Sequence, residues 1–287
     1  MTPATDNTTG ANVRKGILLM SLAMLSIPLV DGLAKHLSAD YSPLFISWAR
    51  YVVACMIVVP IVMATRGSKI FPSKRLGAHT LRTVFLVTSM TLYFMSIAII
   101  PLATAVSAYF VAPIIAVVLS LIFLKEKLTI RKLLSLILGF GGAMVILRPT
   151  SDIEFGILLA FGAGAFFALY MIATRQASQQ SDPFKTLAFQ CVMGAVLLAP
   201  QGIWTWTTPA LDDLVFFLGL GAFSTISHLL SIKAFGYADA STLAPLVYLE
   251  LVATAAIGYV FFTEVPELAT IIGASFIVIG GLVLIKR

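Results

Sequence analysis

Charge is what this sequence has least of. Asp, Glu, Lys and Arg make up 11% of its 287 residues, against roughly 25% in ordinary soluble domains. No stretch between its apolar runs is long enough to fold as a soluble domain, which argues against a receptor or scaffold built around one. Cysteine is scarce too. Cys55 and Cys191 both lie inside apolar runs, without the spacing of a metal or redox motif, and read as small core residues. HExxH, GxSxG and the phosphate-binding GxxxxGK[ST] loop are all missing, so an intramembrane hydrolase or an ATP-driven pump has nothing to work with. The expectation is a protein that is not an enzyme and holds no metal or cofactor.

What the sequence has in abundance is apolar surface: 59% hydrophobic residues and a mean hydropathy of +1.00. Runs of the length needed to cross a bilayer, about 20 helical residues, stand at 16–37, 44–63, 81–100, 103–124, 133–147, 155–173, 186–200, 214–232, 240–262 and 268–285. The fold class predicted is all-α integral membrane with ten transmembrane helices. The runs at 133–147 and 186–200 are short, so each is either a re-entrant segment or a helix lengthened by its flanks. Residues 1–15 form a polar tail, and the run after it is too long for the core of a signal peptide and lacks a cleavage site, so it reads as a retained helix.

The formal charge of +6 does not point to nucleic acid. With the N-terminus in the cytoplasm, only Lys35 and Arg148 of the 19 Lys and Arg fall outside, Arg50 lies within a span, and the rest sort to one side, including a cluster of Arg66, Lys69, Lys74, Arg75 and Arg82. That asymmetry predicts both termini inside a bacterial inner membrane, with anionic lipid as the neighbour of the basic face. Oligomeric state leaves no signature in the sequence.

The chain also repeats itself. Sliding it so that Gly16 falls on Gly156 puts Lys35 on Arg175, Pro43 on Pro183, Arg50 on Gln190 and Pro60 on Pro200 without a gap. A slightly different slide puts VVLSLIFLKEKLT over AAIGYVFFTEVPE, so that Glu126 meets Glu264 and Gly142 meets Gly280. Each copy holds five spans, and an odd number inverts the second copy. The loops agree: LKEKLTIRKLL carries four basic residues where FTEVPELATII carries none. The predicted organisation is a first repeat over 16–148 and an inverted second repeat over 155–287, an architecture many secondary transporters share.

The segment PLATAVSAYFVAPIIAVVLSLIFLKEKLT closing on GFGGAMVIL, with YADASTLAPLVYLELV, FFTE and IGASFIVIGGLVLI in the second half, resembles the EamA-type members of the drug/metabolite transporter superfamily over nearly the whole chain. The resemblance implies a ten-helix inverted-repeat carrier with a central cavity lined by the first four helices of each repeat, the fifth and tenth standing aside as scaffold. It implies transport of a small metabolite and leaves import, export and substrate open.

A few polar residues inside the spans need a reason. Glu250 lies ten residues into the ninth run, roughly 15 Å along a helix and so near the midplane. A carboxylate there costs at least about 2.5–3.5 kcal/mol. Burial favours its neutral form, which makes it a proton-coupling or substrate-binding carboxyl, or else a hydrogen bond between helices. Asp31 and Lys35 are four apart with the acid first, and Arg50 begins the next span at similar depth, which predicts an Asp31–Arg50 pair, mechanistic or merely fastening, with Lys35 at the outer mouth or snorkelling to water. Arg175, at the place equivalent to Lys35, reads as a loop residue. His228 is a proton relay or a histidine satisfied by its hydroxyl neighbours, and Gln190 is a neutral donor–acceptor suited to a polar substrate group.

Trp48, Tyr93, Tyr109, Tyr170 and Tyr248 are candidates to line a cavity, whereas Trp204 and Trp206 read as interfacial anchors. Small residues at Ser135, Gly139 and Ala143, and at Ala269 and Gly273, predict close helix packing. Pro28 and Pro113 are candidate hinges, each expected to interrupt a helix. Mixed charge with aromatics suits an amino acid-like compound or a ring-bearing vitamin.

Overall fold

The computed structural model describes residues 10–97, 108–147, 155–179, 181–253, 256 and 268–285, and within them the side chains of Asp31 and Lys35 lie outside the described set. All regular structure among the described residues is helical. In chain order the helices are α1 (Gly10–Leu37), α2 (Pro43–Arg66), α3 (Leu76–Ile97), α4 (Ala112–Phe123), α5 (Ile130–Leu147), α6 (Phe155–Ser178), α7 (Pro183–Trp204), α8 (Leu214–Tyr237), α9 (Ala240–Leu243) and α10 (Leu268–Ile285). Five of them, within α1 and at α2, α6, α7 and α8, are by length and apolarity alone sufficient to cross a membrane.

Local chemistry sets several boundaries. α1 starts at Gly10, six residues before the first apolar run, carrying Arg14 and Lys15, and the Lys15 ammonium sits 4.5 Å over the Tyr237 ring. The short run at 186–200 is lengthened by its flanks: Asp182 caps α7 by accepting from the amides of Phe184 and Lys185, and Pro183 follows at the first helical position, where its missing N–H costs nothing. α2 ends at Gly67, whose φ of 74° suits a residue with no Cβ.

The two halves interleave. α1 runs against α8, with Gly16 at Ala238, the Ser227 hydroxyl bonded to the Ala23 carbonyl, and His36 stacked edge-on to Phe216. α3 runs against α6 in the same way, through Ser96 to the Gly156 carbonyl, Ser89 to the Ala163 carbonyl and Arg82 to Thr174. Those two pairings exchange when the repeats are exchanged. α2 pairs with its own counterpart α7, from Trp48 against Ala195 to Arg66 against Asp182, and α5 pairs with its counterpart α10. Every one of these pairs is antiparallel. A two-fold axis that swaps two antiparallel helices must lie perpendicular to both, so the pseudo-axis lies in the plane of the bilayer, and the repeats are inverted.

The α5–α10 seam is where small residues act. A Cβ on Gly142 would stand 2.5 Å from the Gly273 carbonyl oxygen, and one on Gly280 would stand 3.1 Å from that of Ser135, so the backbones touch directly. Gly142→Leu should therefore cost about 1–3 kcal/mol through overpacking and lower the thermal midpoint of the purified protein. An unchanged midpoint would mean the two helices do not pack this way.

Candidate functional site

The fourth and ninth spans are both broken, and at matching places. Residues 108–109 are helical, 110–111 form a turn, and α4 starts at Ala112. Pro113 therefore opens α4; it does not kink the middle of a helix as predicted, because a proline in the first turn has no partner to lose. Pro28 does lie inside α1. In the second half α9 tightens after Leu243 into a 3₁₀ segment, Ala244–Tyr248, before α-helix resumes through 249–253. In the register that sets Glu126 on Glu264, Phe110 falls on Tyr248. These two equivalent residues meet: the Tyr248 hydroxyl donates to the Phe110 carbonyl at 3.0 Å, with ring centroids 5.6 Å apart. Interrupted helices in corresponding positions of inverted halves are the usual location of a carrier's binding site.

Rings extend from this point. Tyr93 of α3 stacks on Tyr109 at 5.1 Å, Tyr109 on Phe167 at 5.5 Å, and Phe167 on Tyr170 at 5.7 Å. The Tyr109 carbonyl lies so close to Gly164 that a Cβ there would sit 2.5 Å from it. The aromatic row ends against Arg82, whose guanidinium lies 5.2 Å from the Tyr170 centroid.

Arg82 was expected in a basic loop and is instead wholly buried in α3. Its Nε donates to Thr174 Oγ1 at 2.9 Å, and its Nη2 to the Tyr170 hydroxyl and to Gln190 Oε1. Arg50 of α2 bonds the Met90 sulfur and stands 5.2 Å from the Tyr51 ring. His228 of α8 lies deep in the bundle within electrostatic reach of both arginines and keeps part of its surface accessible. Gln190, Tyr170, Arg50 and His228 are thus brought to one polar seam, together with an arginine that the sequence reading had placed elsewhere.

The other predicted residues are dispersed. Trp48 is a wedge between α2 and α7, its indole N–H on the Ala195 carbonyl and its ring against Gly202. Trp206 packs on Phe45 and Trp48, and Trp204 is 91% exposed at the helix end. Tyr248 is fully buried over Gly139. Glu250 is half-buried two residues beyond the 3₁₀ segment. Asp31 and Lys35 were predicted to pair or point outward, and their side chains lie outside the described residues.

A second cluster, also unanticipated, ties the halves at the basic end. The Glu126 carboxylate, in the loop before α5, accepts from the amides of Ala240 and Ser241 and from the Ser241 hydroxyl, capping the otherwise orphaned N–H groups of α9 from the opposite half. Asp239, at the N-cap position itself, turns instead to Lys132 Nζ at 3.0 Å and Arg175 Nη2 at 3.1 Å. Arg175 also reaches the Phe235 carbonyl, and its Nε lies 3.9 Å from Glu126. It is buried in the last turns of α6, not in a loop, because α8 and the loop before α5 close over it.

The chain matches the EamA-like transporter family twice, over residues 14–148 and 154–286. It is 27% identical to the S-adenosylmethionine uptake transporter of Rickettsia prowazekii, covering 92% of this chain and 90% of that one. It is 23% identical to the riboflavin transporter of Vibrio cholerae, over 93% and 91% of the two chains. It is 27% identical to the pseudopaline exporter of Pseudomonas aeruginosa strain UCBPP-PA14, over 93% and 95%. A crystal structure 18% identical in sequence superposes with a TM-score of 0.81 over 95% of this chain and 96% of the other, which shows the same fold. Two inverted helical repeats, each matched by the same family, establish that this multi-pass membrane protein belongs to the EamA-like transporter family.

Proposed function

We propose that this transporter is a secondary-active carrier for a small amphipathic metabolite, amino acid-like or ring-bearing, that works by alternating access in a bacterial inner membrane with both termini cytoplasmic. The observation that carries the reading is the meeting of the two broken spans at Phe110 and Tyr248 on the pseudo-axis, beside a row of rings that ends at a buried cation. Rings offer stacking area and the cation offers orientation, the division of labour expected of a site that binds a partly apolar molecule. In this scheme the cluster of Glu126, Arg175, Asp239 and Lys132 is the inner gate, because it joins residues of both halves at the basic end. Glu250 supplies proton coupling; an uncoupled facilitator is the alternative that its substitution tests.

Reconstituted protein should take up at least one radiolabelled compound from a set of amino acids, S-adenosylmethionine and riboflavin with saturable kinetics. Absence of uptake for every compound by folded, correctly inserted protein counts against the carrier reading. The proposed orientation has its own check. Lys69 and Asp212, both exposed at opposite ends of the bundle, replaced singly by Cys in a background lacking Cys55 and Cys191, should label from opposite sides, Lys69→Cys from the cytoplasm. Labelling of both from one side contradicts it.

A further inference from the structure

The seam around Arg82 is short of one partner. A guanidinium stays charged at any physiological pH, and an ion taken out of water costs several kcal/mol unless a counter-charge repays it. Arg82 has no exposed surface, yet its hydrogen-bond partners, Thr174, Tyr170 and Gln190, are all neutral. Among the described residues no carboxylate lies within ion-pair distance of it. Its Nη1 has no acceptor, and neither has Nε2 of Gln190, although both are shielded from solvent. Gln190 holds the guanidinium through its oxygen, so these two bonded side chains each keep a buried donor without an acceptor.

The basic end comes close to this point. A cleft lined by Lys74, Arg75, His79, Gln176 and Ser181 opens at the basic end between α3 and α6. His79 lines the cleft, and Arg82 follows it by three residues on the same face of α3. The ring of His79 bonds the Ser181 hydroxyl at 3.0 Å, and both residues line the cleft.

We propose that Arg82 and Gln190 form the binding site for a carboxylate of the transported metabolite, reached from the basic end past His79. The proposal rests on the carrier reading and sharpens it, since it names the group on the substrate that is recognised. One guanidinium and one amide match a planar monoanion with two oxygens; a phosphate dianion would leave charge unmatched. Tyr170 and the rings beyond it then receive the apolar part of the molecule.

The test is thermal-shift binding on the purified full chain with acetate, methionine and S-adenosylmethionine as carboxylate probes. Acetamide and methioninamide serve as counterparts without the carboxylate charge, with chloride and inorganic phosphate as other anions. At least one carboxylate should raise the midpoint, its amide should bind roughly 30-fold or more weakly, and Arg82→Gln should abolish the difference. Because Arg82→Gln can also loosen the fold, Gln190→Glu is the second variant. It supplies the missing charge from within, so it should melt higher than the parent and lose the carboxylate response. The inference is overturned if no carboxylate shifts the parent, if chloride or phosphate shifts it as strongly, or if Gln190→Glu binds carboxylates as the parent does. Failure of transport with carboxylate binding intact would instead count against the carrier reading alone.

Discussion

Glu250→Gln should abolish uptake driven by a pH gradient while leaving the protein folded and able to exchange substrate across a membrane without one. The carboxyl is half-buried just past the 3₁₀ break of the ninth span, where a fixed negative charge would cost at least about 2.5–3.5 kcal/mol. In the proposed coupling role the carboxyl alternates between a neutral form and a charged one as the two halves move. Glutamine keeps the shape and the hydrogen-bonding capacity but freezes the neutral state. Uptake into proteoliposomes, measured with and without an imposed pH gradient, separates the outcomes. Loss of the gradient-driven component alone fits coupling, whereas normal uptake across a range of pH reduces Glu250 to a structural contact and favours the uncoupled facilitator.

Glu126→Gln should release the basic end. The carboxylate is 7% exposed, and the Arg175 it faces is 10% exposed, so removing the charge leaves Arg175 with Asp239 as its remaining carboxylate partner among the described residues and leaves the α9 amides with a weaker cap. Weakening hydrogen bonds to a charged group in this way costs about 1.5–3 kcal/mol. If the cluster is the inner gate proposed above, that loss falls on the state in which the basic end is closed, because the cluster joins elements of opposite halves. The expected result is a lower thermal midpoint, together with faster reaction of a cysteine placed at Ser241 with a cytoplasmic thiol reagent. An unchanged reaction rate would mean that the cluster fastens the fold without gating it.

Most of the architecture was legible because each layer of it leaves a periodic trace. Apolar runs mark spans, the sequence register marks the repeat, and the contrast between LKEKLTIRKLL and FTEVPELATII marks inversion. The site was less legible. Arg82 and Arg175 both lie within two turns of the basic end of their helices, where an arginine looks like a loop charge; what buries them is packing by α6, α7 and α8, which no local pattern reports. Two signals did exist. His79 and Arg82 share one face of α3, and Glu126 falls on Glu264 although the basic residues around it do not recur. Pro113 misled for the opposite reason, since a proline reads as a kink in any apolar run and only the turn at 110–111 reveals a helix start.

The central claim is that two inverted halves rock about the pseudo-axis and open the basic end in turn. Spin labels at Lys127 and Gln179, both exposed and on opposite halves, read that motion directly by pulsed electron resonance in lipid nanodiscs. Alternating access predicts a short distance for the closed basic end and a second, longer population that grows in Glu126→Gln and shifts with a transported compound. A single distance, unchanged by the substitution and by every compound the protein transports, would contradict it.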